Sequence, residues 1–199
     1  MATIHLTITG KTPLLMHRFS EETQEALLKS GARKALKTGE VQTPRDMAEK
    51  TVYRLNNNPT ANLCIPGVML YSAIVAAGRF HKNGRASLTN AKSSIIPGGL
   101  LMRTFEADLG TTQFEVDSRR GVNPNNGVAV VIVRGRLDRW EASFDLDLDT
   151  EMFSNELVYN LVRDAGTKIG IGSFRPACRG PYGTFNITHW DLDGRSMVP

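Results

Sequence analysis

Hydrophobic and polar positions alternate strictly in two stretches of the chain. Residues 3–15 begin with apolar side chains at every second position, at Ile4, Leu6 and Ile8, and residues 139–148 repeat the pattern. A period of two is typical of a strand that buries one face and exposes the other. The chain is therefore predicted to contain two half-buried strands, one at its start and one in its last third.

Another strand is predicted where the hydrophobic residues are continuous. Residues 128–134 are apolar up to Arg134, which is typical of a central strand buried on both faces. The short connection over residues 135–138 predicts that this strand forms a hairpin with residues 139–148. A final strand is predicted over residues 182–190.

Apolar spacing and helix-capping residues predict four helices. Ser20 can cap the first, whose charges change from acidic to basic towards Lys37, the order that the helix dipole favours. Thr43 caps the second, which is predicted to end near Leu55. The two helices with a continuous apolar face, and hence the predicted core helices, cover residues 66–77 and 152–165.

Two segments interrupt these core elements. Residues 17–62 are predicted to form a helical insertion, and the weakly patterned residues 83–127 a long hairpin or loop. Without them the order is strand, helix, strand, strand, helix, strand. This order predicts one domain over residues 1–199 with an α+β fold. The expected arrangement is ferredoxin-like, with the helices on one face of an antiparallel sheet.

The composition is that of a globular protein with a hydrophobic core. The 199 residues are 41% hydrophobic and 22% charged. The apolar stretches are too short to span a membrane, and the first residues lack the pattern of a signal peptide, so we expect a cytoplasmic protein that does not bind membranes. Cys64 and Cys178 lack metal-binding spacing and are expected to be reduced thiols.

Charge is distributed unevenly along the chain. Residues 1–92 carry 13 Lys and Arg against 6 Asp and Glu, a net charge of +7, whereas residues 93–199 carry 11 against 14, a net charge of −3. A basic half of this kind favours an acidic partner, of which nucleic acid is the commonest. A solvated basic helix would produce the same count.

Residues 165–185, here called the glycine-rich segment, follow the last predicted helix. Glycines interleave there with Lys168, Arg175 and Arg179. Glycine reaches positive φ without a steric clash and allows a ligand to approach the backbone, so the segment could present amides and cations to a phosphate chain. A turn that only reverses the chain direction would have a similar sequence, and the segment matches neither nucleotide-loop fingerprint.

Cations at strand ends and in loops, with aromatic neighbours, form the predicted nucleic-acid site. Loops carry binding residues more often than they carry packing residues, and aromatic rings can stack on bases. The predicted binding residues are Lys11, Arg18, Arg79, Lys82, Arg85, Arg119, Arg120, Arg134, Lys168, Phe174, Arg175, Arg179 and Tyr182.

Catalytic and metal-binding patterns are weak. The acidic residues of 145–156 copy the spacing of a calcium loop, but Thr150 replaces the required glycine, so a strand with an acidic outer face is predicted and no metal or cofactor is expected. His17 and His81 border basic loops and are the candidate general acid or base, although either is equally typical of a structural histidine. The patterns favour a binding protein over an enzyme.

Three stretches together resemble the RAMP superfamily. The first is the opening strand with its turn, over residues 8–15. The second is the Pro-Gly turn and helix over residues 65–74, and the third is the glycine-rich segment, with Gly170-Ile171-Gly172 and Gly180-Pro181-Tyr182-Gly183. Within that superfamily the pattern is similar to the nucleic-acid-binding backbone subunits of CRISPR effector complexes, and equally to a free-standing phage or plasmid relative.

The resemblance implies a fold, a modified RRM-like (ferredoxin-like) antiparallel sheet, and also a function. It implies binding of single-stranded DNA or RNA through the phosphate backbone, largely without sequence preference, and head-to-tail assembly of copies along the strand in a prokaryotic or phage-infected cell. Two alternatives stay open. One is a metal-independent endoribonuclease of the RAMP type that uses His17 or His81, and the other is a phage structural or assembly protein.

Overall fold

A computed structural model describes residues 1–19, 43–122 and 127–196. In these ranges the chain forms α-helices and antiparallel strand pairs, so the protein is of the α+β class, as predicted. The helix expected between Ser20 and Lys37 lies outside the described residues. None of the helices in the described ranges is long and apolar enough to cross a membrane.

The elements follow one another along the chain with short connections. The strands are β1 (Ala2–Gly10), β2 (Leu14–Met16), β3 (Cys64–Pro66), β4 (Lys82–Asn83), β5 (Ala86–Ser87), β6 (Leu100–Met102), β7 (Glu106–Asp108), β8 (Glu115–Val122), β9 (Ala129–Leu137), β10 (Glu141–Leu148), β11 (Phe185–Leu192) and β12 (Arg195–Ser196). The helices are α1 (Pro44–Glu49), α2 (Gly67–Ala77) and α3 (Asn155–Asp164).

The main sheet has five strands in the order β12-β11-β1-β10-β6. The predicted alternation holds, since Ile4, Leu6 and Ile8 of β1 are buried and pair with the equally alternating β10. Helices α2 and α3 contact each other, and their buried residues join those of the sheet in one core. Burial of one face of each strand and helix is the largest favourable contribution to such a fold.

A second sheet has three strands in the order β2-β9-β8. The predicted hairpin between residues 128–134 and 139–148 is therefore wrong, because β9 pairs with β8 over eight residue pairs and with β2, whereas β10 pairs with β1 and β6. The central position of β9 in its sheet was predicted correctly. Burial of both its faces was not, since Ala129 to Val131 are exposed near the end of the β8–β9 hairpin.

The segment 83–127, predicted as a long hairpin or loop, contains several short strands in its described residues. It contains part of β4, then β5 to β8, and the edge strand of the main sheet is β6 within this segment rather than residues 128–134. Only three residues of β6 pair with β10, so its periodicity is too short to be recognised.

Several elements are shorter than predicted or displaced along the chain. The first strand divides into β1 and β2, since Gly10 packs against the indole of Trp140 and the chain turns directly after it. Helix α1 ends at Glu49 rather than Leu55, because the hydroxyl of Thr51 donates to the carbonyl of Ala48 and Val52 is buried in the core. The last strand, β11, begins and ends two to three residues later than predicted.

The glycine-rich segment links α3 to β11 and lies against β2. It begins with a π-turn over Ala165–Ile169, and a short 3-10 turn follows over Pro176–Cys178. The amide of Ser173 donates to the carbonyl of Leu15 at 2.8 Å, and the amide of Gly183 donates to the carbonyl of Pro13 at 2.9 Å. These bonds hold the segment beside the three-stranded sheet and opposite α2.

Candidate functional site

A groove of about 480 Å³ lies between α2 and the glycine-rich segment. One wall consists of Val68, Met69 and Ser72 from the first turns of α2, and the opposite wall is the backbone around Gly172. Val68 is 64% exposed, so its side chain presents apolar surface to solvent at the groove. His17, directly after β2, completes the lining at one side.

Glycine is required at several positions of the segment that forms this wall. Gly170, Gly172 and Gly183 have positive φ, and a Cβ at Gly183 would overlap the carbonyl oxygen of Ile171. However, several amides of the segment donate to carbonyls of the protein, including those of Ile171, Ser173 and Gly183. Cationic side chains are therefore better placed than these amides to bind an anion.

Arg79 and Arg175 are the two guanidinium groups that line the groove. Arg175 donates from Nη1 to the carbonyl of Gly172 at 2.9 Å, and Arg79 donates from Nε to the carbonyl of Ala76 at 3.0 Å. These bonds orient both groups against the groove walls. Neither arginine forms a salt bridge with an acidic residue in the described ranges, so both charges are available to an anionic ligand.

The groove adjoins the polar face of the three-stranded sheet. Arg134 on β9 pairs with Asp117 on β8, and Met16 on β2 pairs with Gly135, so His17 follows β2 next to Arg134. The pKa of His17 is lowered, first because surrounding atoms desolvate it and second because the Arg134 guanidinium repels its proton. His17 is therefore neutral near pH 7.

An arginine and two aromatic rings connect this sheet to the glycine-rich segment. Arg119 donates from Nη2 to the hydroxyl of Tyr182, and its guanidinium carbon lies 4.8 Å from the centroid of that ring. The centroid of the Phe174 ring lies 6.0 Å from that of Tyr182. The pKa of Arg119 is raised by its hydrogen bonds to Tyr182 and then to Asp117. The sequence predicted these three residues as ligands, and the structure brings them together.

Two predicted site residues instead form a separate cluster at the end of α3. Lys168 donates from Nζ to Oδ2 of Asp164 at 2.7 Å, and Nε2 of His81 lies 3.0 Å from the same oxygen. The Lys168 ammonium also lies 4.7 Å from the centroid of the Phe80 ring. Since Asp164 is buried and neutralises this cation, the geometry favours a structural role for both Lys168 and His81.

The other predicted cations do not line the groove. Arg120 is exposed and lies on the opposite face of β8 from Arg119, because neighbouring strand residues alternate between faces. The remaining ones occupy the β1–β2 turn, the end of β2, the β4–β5 hairpin and the exposed tip of the glycine-rich segment: Lys11, Arg18, Lys82, Arg85 and Arg179.

Sequence reasoning missed the side chains of α2 that form the apolar wall of the groove. It also missed the acidic residue that orients Arg119. Met69 packs against the core and also lines the groove, and Ser72 carried no recognisable signal. Asp117 was not singled out, although it is 6% exposed and its carboxylate orients Arg119. An acidic residue two positions before an arginine in the same strand was the available signal, and only the pairing of β8 with β9 shows that Asp117 is buried beside Arg134.

The fold and site define an α+β protein with a cationic groove. A scan against protein-family models found no matching family, and a search among curated proteins found no match. In the described ranges, no group of three or more His, Cys, Asp and Glu side chains could hold a metal ion. Any functional assignment therefore depends on the chemistry of the groove.

Proposed function

We propose that this protein binds single-stranded nucleic acid in the groove between α2 and the glycine-rich segment, largely without sequence preference. The observation that carries the proposal is the placement, beside an apolar wall, of two arginines that form no salt bridge with the described acidic residues, Arg79 and Arg175. Phosphates would pair with these guanidinium groups, while bases would contact the apolar wall. The groups that bind phosphate do not read base edges, so sequence preference is expected to be small.

The aromatic pair at the neighbouring edge extends this surface. Phe174 is 39% exposed, and its ring lies beside Tyr182, which Arg119 orients. Stacking of a base on such a ring contributes about 1–3 kcal/mol. A strand that follows the groove towards β8 would therefore meet cations first and aromatic rings next.

The opposite surface of the main sheet argues against binding there. Its outward-facing side chains include the exposed Glu141 and the half-buried Asp145, Asp147 and Asp191, and His5 bonds to Asp145 at 2.6 Å. An acidic surface repels phosphate, so the electrostatic potential favours the groove side of the molecule. An RRM-like protein that binds through its sheet face would require cations and aromatics in place of these carboxylates.

The strand order supports a ferredoxin-like arrangement with RAMP-like character. The strands β11-β1-β10-β6 correspond to the fourth, first, third and second strands of that topology, with α2 and α3 as its two helices. Two of the three stretches behind the RAMP resemblance, the helix after the Pro66-Gly67 turn and the glycine-rich segment, line opposite walls of one groove. Their convergence supports a common binding role.

Self-assembly along the strand belongs to the same proposal. Val122 and Val131 near the end of the β8–β9 hairpin, and Phe105 after β6, are 61%, 67% and 77% exposed. Exposed apolar groups that cluster at a projecting hairpin favour contact with another protein surface. Sedimentation with increasing lengths of oligothymidylate is expected to show complexes with increasing numbers of protein copies.

Binding as a function of salt tests the proposed function. A fluorescently labelled oligothymidylate, titrated with the protein at several salt concentrations, is expected to show tight binding that weakens steeply as salt rises, because bound phosphates release counterions. An oligoadenylate should bind with similar affinity. No binding at low salt, or an affinity independent of salt, would overturn the proposal.

Metal-independent cleavage of RNA is a second candidate, favoured by the neutral His17 in the groove. Its imidazole could remove the proton of a ribose 2′-hydroxyl, whose oxygen would attack the adjacent phosphorus as the P–O5′ bond breaks. The leaving 5′ oxygen would take a proton from water, so the products are a 2′,3′-cyclic phosphate and a 5′-hydroxyl end. The test is incubation of RNA in EDTA followed by analysis of the product ends. Intact RNA, or cleavage retained in the His17→Gln variant, contradicts this candidate.

A further inference from the structure

Four ionisable side chains lie close together on and beside one face of the three-stranded sheet. Asp117 on β8 faces Arg134 on β9, and His17 lies beyond the Met16–Gly135 pair on the other side of Arg134. Arg119 is two residues from Asp117 and therefore on the same face. This group, called here the Arg134 cluster, consists of His17, Asp117, Arg119 and Arg134.

Hydrogen bonding within the Arg134 cluster is incomplete. Oδ1 of Asp117 accepts from both Nε and Nη2 of Arg119, at 2.8 and 2.7 Å. In contrast, Oδ2 of Asp117 and Nε of Arg134 are buried and have no hydrogen-bond partner among the described residues. Buried polar atoms are nearly always paired in folded proteins, so an unpaired guanidinium nitrogen indicates a missing partner.

The charges of the cluster do not cancel. Two guanidinium groups face one carboxylate, and that carboxylate is already bonded to Arg119. Arg134 makes no salt bridge with the described acidic residues, and its pKa is lowered because burial disfavours its charged form. A cation that is partly removed from water attracts an anion more strongly than a solvated one does. The missing partner is therefore expected to be anionic.

We propose that the Arg134 cluster is a phosphate-binding subsite in which one phosphate oxygen pairs with Arg134 and another with the imidazolium form of His17. Binding of the phosphate is thus accompanied by uptake of a proton. The natural ligand inferred here, a backbone phosphate of a bound strand, rests on the proposed function, whereas the subsite itself rests on the geometry of the cluster.

The direction of the coupling follows from the surrounding charges. His17 lies next to Arg134 on the sheet and lines the groove together with Arg79, which follows α2, and Arg175 of the glycine-rich segment. Arg119 and Asp117 are the other charged residues of the cluster. In the free protein, desolvation and then the Arg134 guanidinium lower the pKa of His17 and so favour the neutral imidazole. A bound phosphate reverses the local charge and raises the pKa of His17, so affinity for phosphate increases as pH falls from about 8 to about 6.

NMR of the histidine side chains tests the subsite with inorganic phosphate as the probe. The His17 resonance is identified by its loss in the His17→Gln variant and is followed against pH with and without phosphate, at equal ionic strength set with sodium chloride. We expect phosphate to raise the pKa of His17. An unchanged His17 titration, or an equal change at His5 and His189, would overturn the proposal.

Two arginine variants on the same strand separate the subsite from a general charge effect. In Arg134→Gln, the pKa of His17 is expected to rise without phosphate, because a repelling cation is lost, and to become insensitive to phosphate. Arg136→Gln is the matched control, since Arg136 lies on the same face but is bonded to Asp138 at 2.5 Å. Loss of the phosphate response in both variants would contradict a specific role for Arg134.

Binding of oligothymidylate distinguishes failure of the subsite from failure of the proposed function. If both hold, the oligonucleotide binds several-fold more tightly near pH 6 than near pH 8, and His17→Gln removes most of this difference. If oligonucleotide binding depends on pH in the same way in His17→Gln and in the wild type, the subsite is contradicted but the proposed function is not. A phosphate response of His17 without any oligonucleotide binding supports the subsite and overturns the function.

Discussion

Arg119 holds Tyr182 in place by donating a hydrogen bond to its hydroxyl while its guanidinium carbon lies 4.8 Å from the ring centroid. Asp117 fixes the other side of Arg119 through two contacts to one carboxylate oxygen. The ring that we propose as a stacking surface lies in the glycine-rich segment and is therefore oriented by a residue of the three-stranded sheet. Orientation in the free protein reduces the entropy lost when a base binds.

Two substitutions of Tyr182 separate stacking from hydrogen bonding. Tyr182→Phe keeps the ring and is expected to change oligothymidylate affinity by less than about 0.5 kcal/mol, whereas Tyr182→Leu is expected to lose about 1–3 kcal/mol of stacking. Fluorescence anisotropy with the labelled oligonucleotide measures both. Equal affinities of the Leu and Phe variants would show that the ring does not stack on a base.

Removal of Arg175 should weaken binding to all sequences alike. Arg175→Ala is expected to lower affinity by about 1.5–3 kcal/mol, as for other hydrogen bonds to charged groups, and to reduce the slope of log affinity against log salt by about one. Arg103→Ala is the control, because Arg103 lies beside Asp147 on the acidic surface of the main sheet. The proposed contact fails if both variants retain the wild-type slope.

Gly183 should tolerate no side chain. Gly183→Ala is expected to cost at least about 2–3 kcal/mol in the free energy of unfolding, because its Cβ would overlap the carbonyl oxygen of Ile171 at a positive φ. Gly84→Ala, also at positive φ but with open space around it, should cost only about 1 kcal/mol. Urea unfolding of both variants provides the comparison, and equal losses would contradict the steric explanation.

The contacts of Asp164 with Lys168 and His81 should make the free energy of unfolding depend on pH in the acidic range. Burial alone would raise the pKa of Asp164, but hydrogen bonds and charges from Lys168 and His81 outweigh burial and lower it. The ionised carboxylate of Asp164 therefore contributes fully to the free energy of unfolding above the unfolded-state pKa of about 3.9. This contribution is lost as pH falls through the lower folded-state pKa. Asp164→Asn is expected to lose about 1–3 kcal/mol near neutral pH.

Unfolding of Asp164→Asn and of the wild type at several pH values measures this dependence. The difference between the two proteins should shrink in strong acid, where the carboxylate is protonated. A difference that stays constant with pH would indicate that the carboxylate charge does not contribute. The same variant should leave the salt slope of oligonucleotide binding unchanged, since Lys168 is assigned a structural role.

The two cysteines should differ in reactivity. Burial, followed by the negative charges of Glu106 and Asp108, raises the pKa of Cys64 to about 11, whereas Cys178 is exposed. Thiolate is the reactive form, so an alkylating reagent near neutral pH is expected to modify Cys178 first. Mass spectrometry should find one modification in the folded protein and two after denaturation. Rapid double modification of the folded protein would contradict the burial of Cys64.

Part of the candidate site was recognisable in the sequence because its residues are contiguous. Arg175, Phe174 and Tyr182 stand out among the glycines of one segment, and the structure places them at or beside the groove. Lys168 lies in the same glycine-rich segment and has similar neighbours in the sequence. Its partner, Asp164, lies one helical turn earlier, and only the buried geometry of the π-turn shows that this charge is neutralised.

The sequence by itself determined the α+β class, the strands β1 and β10 and the core helices α2 and α3, because burial of one face imposes a period on nearby residues. Tertiary structure alone decided that β9 pairs with β8 and β2 rather than with β10, and that Arg119 points towards Tyr182 while Arg120 points away. Pairing between distant strands depends on backbone hydrogen bonds and shared core volume, which leave no periodic trace in either segment.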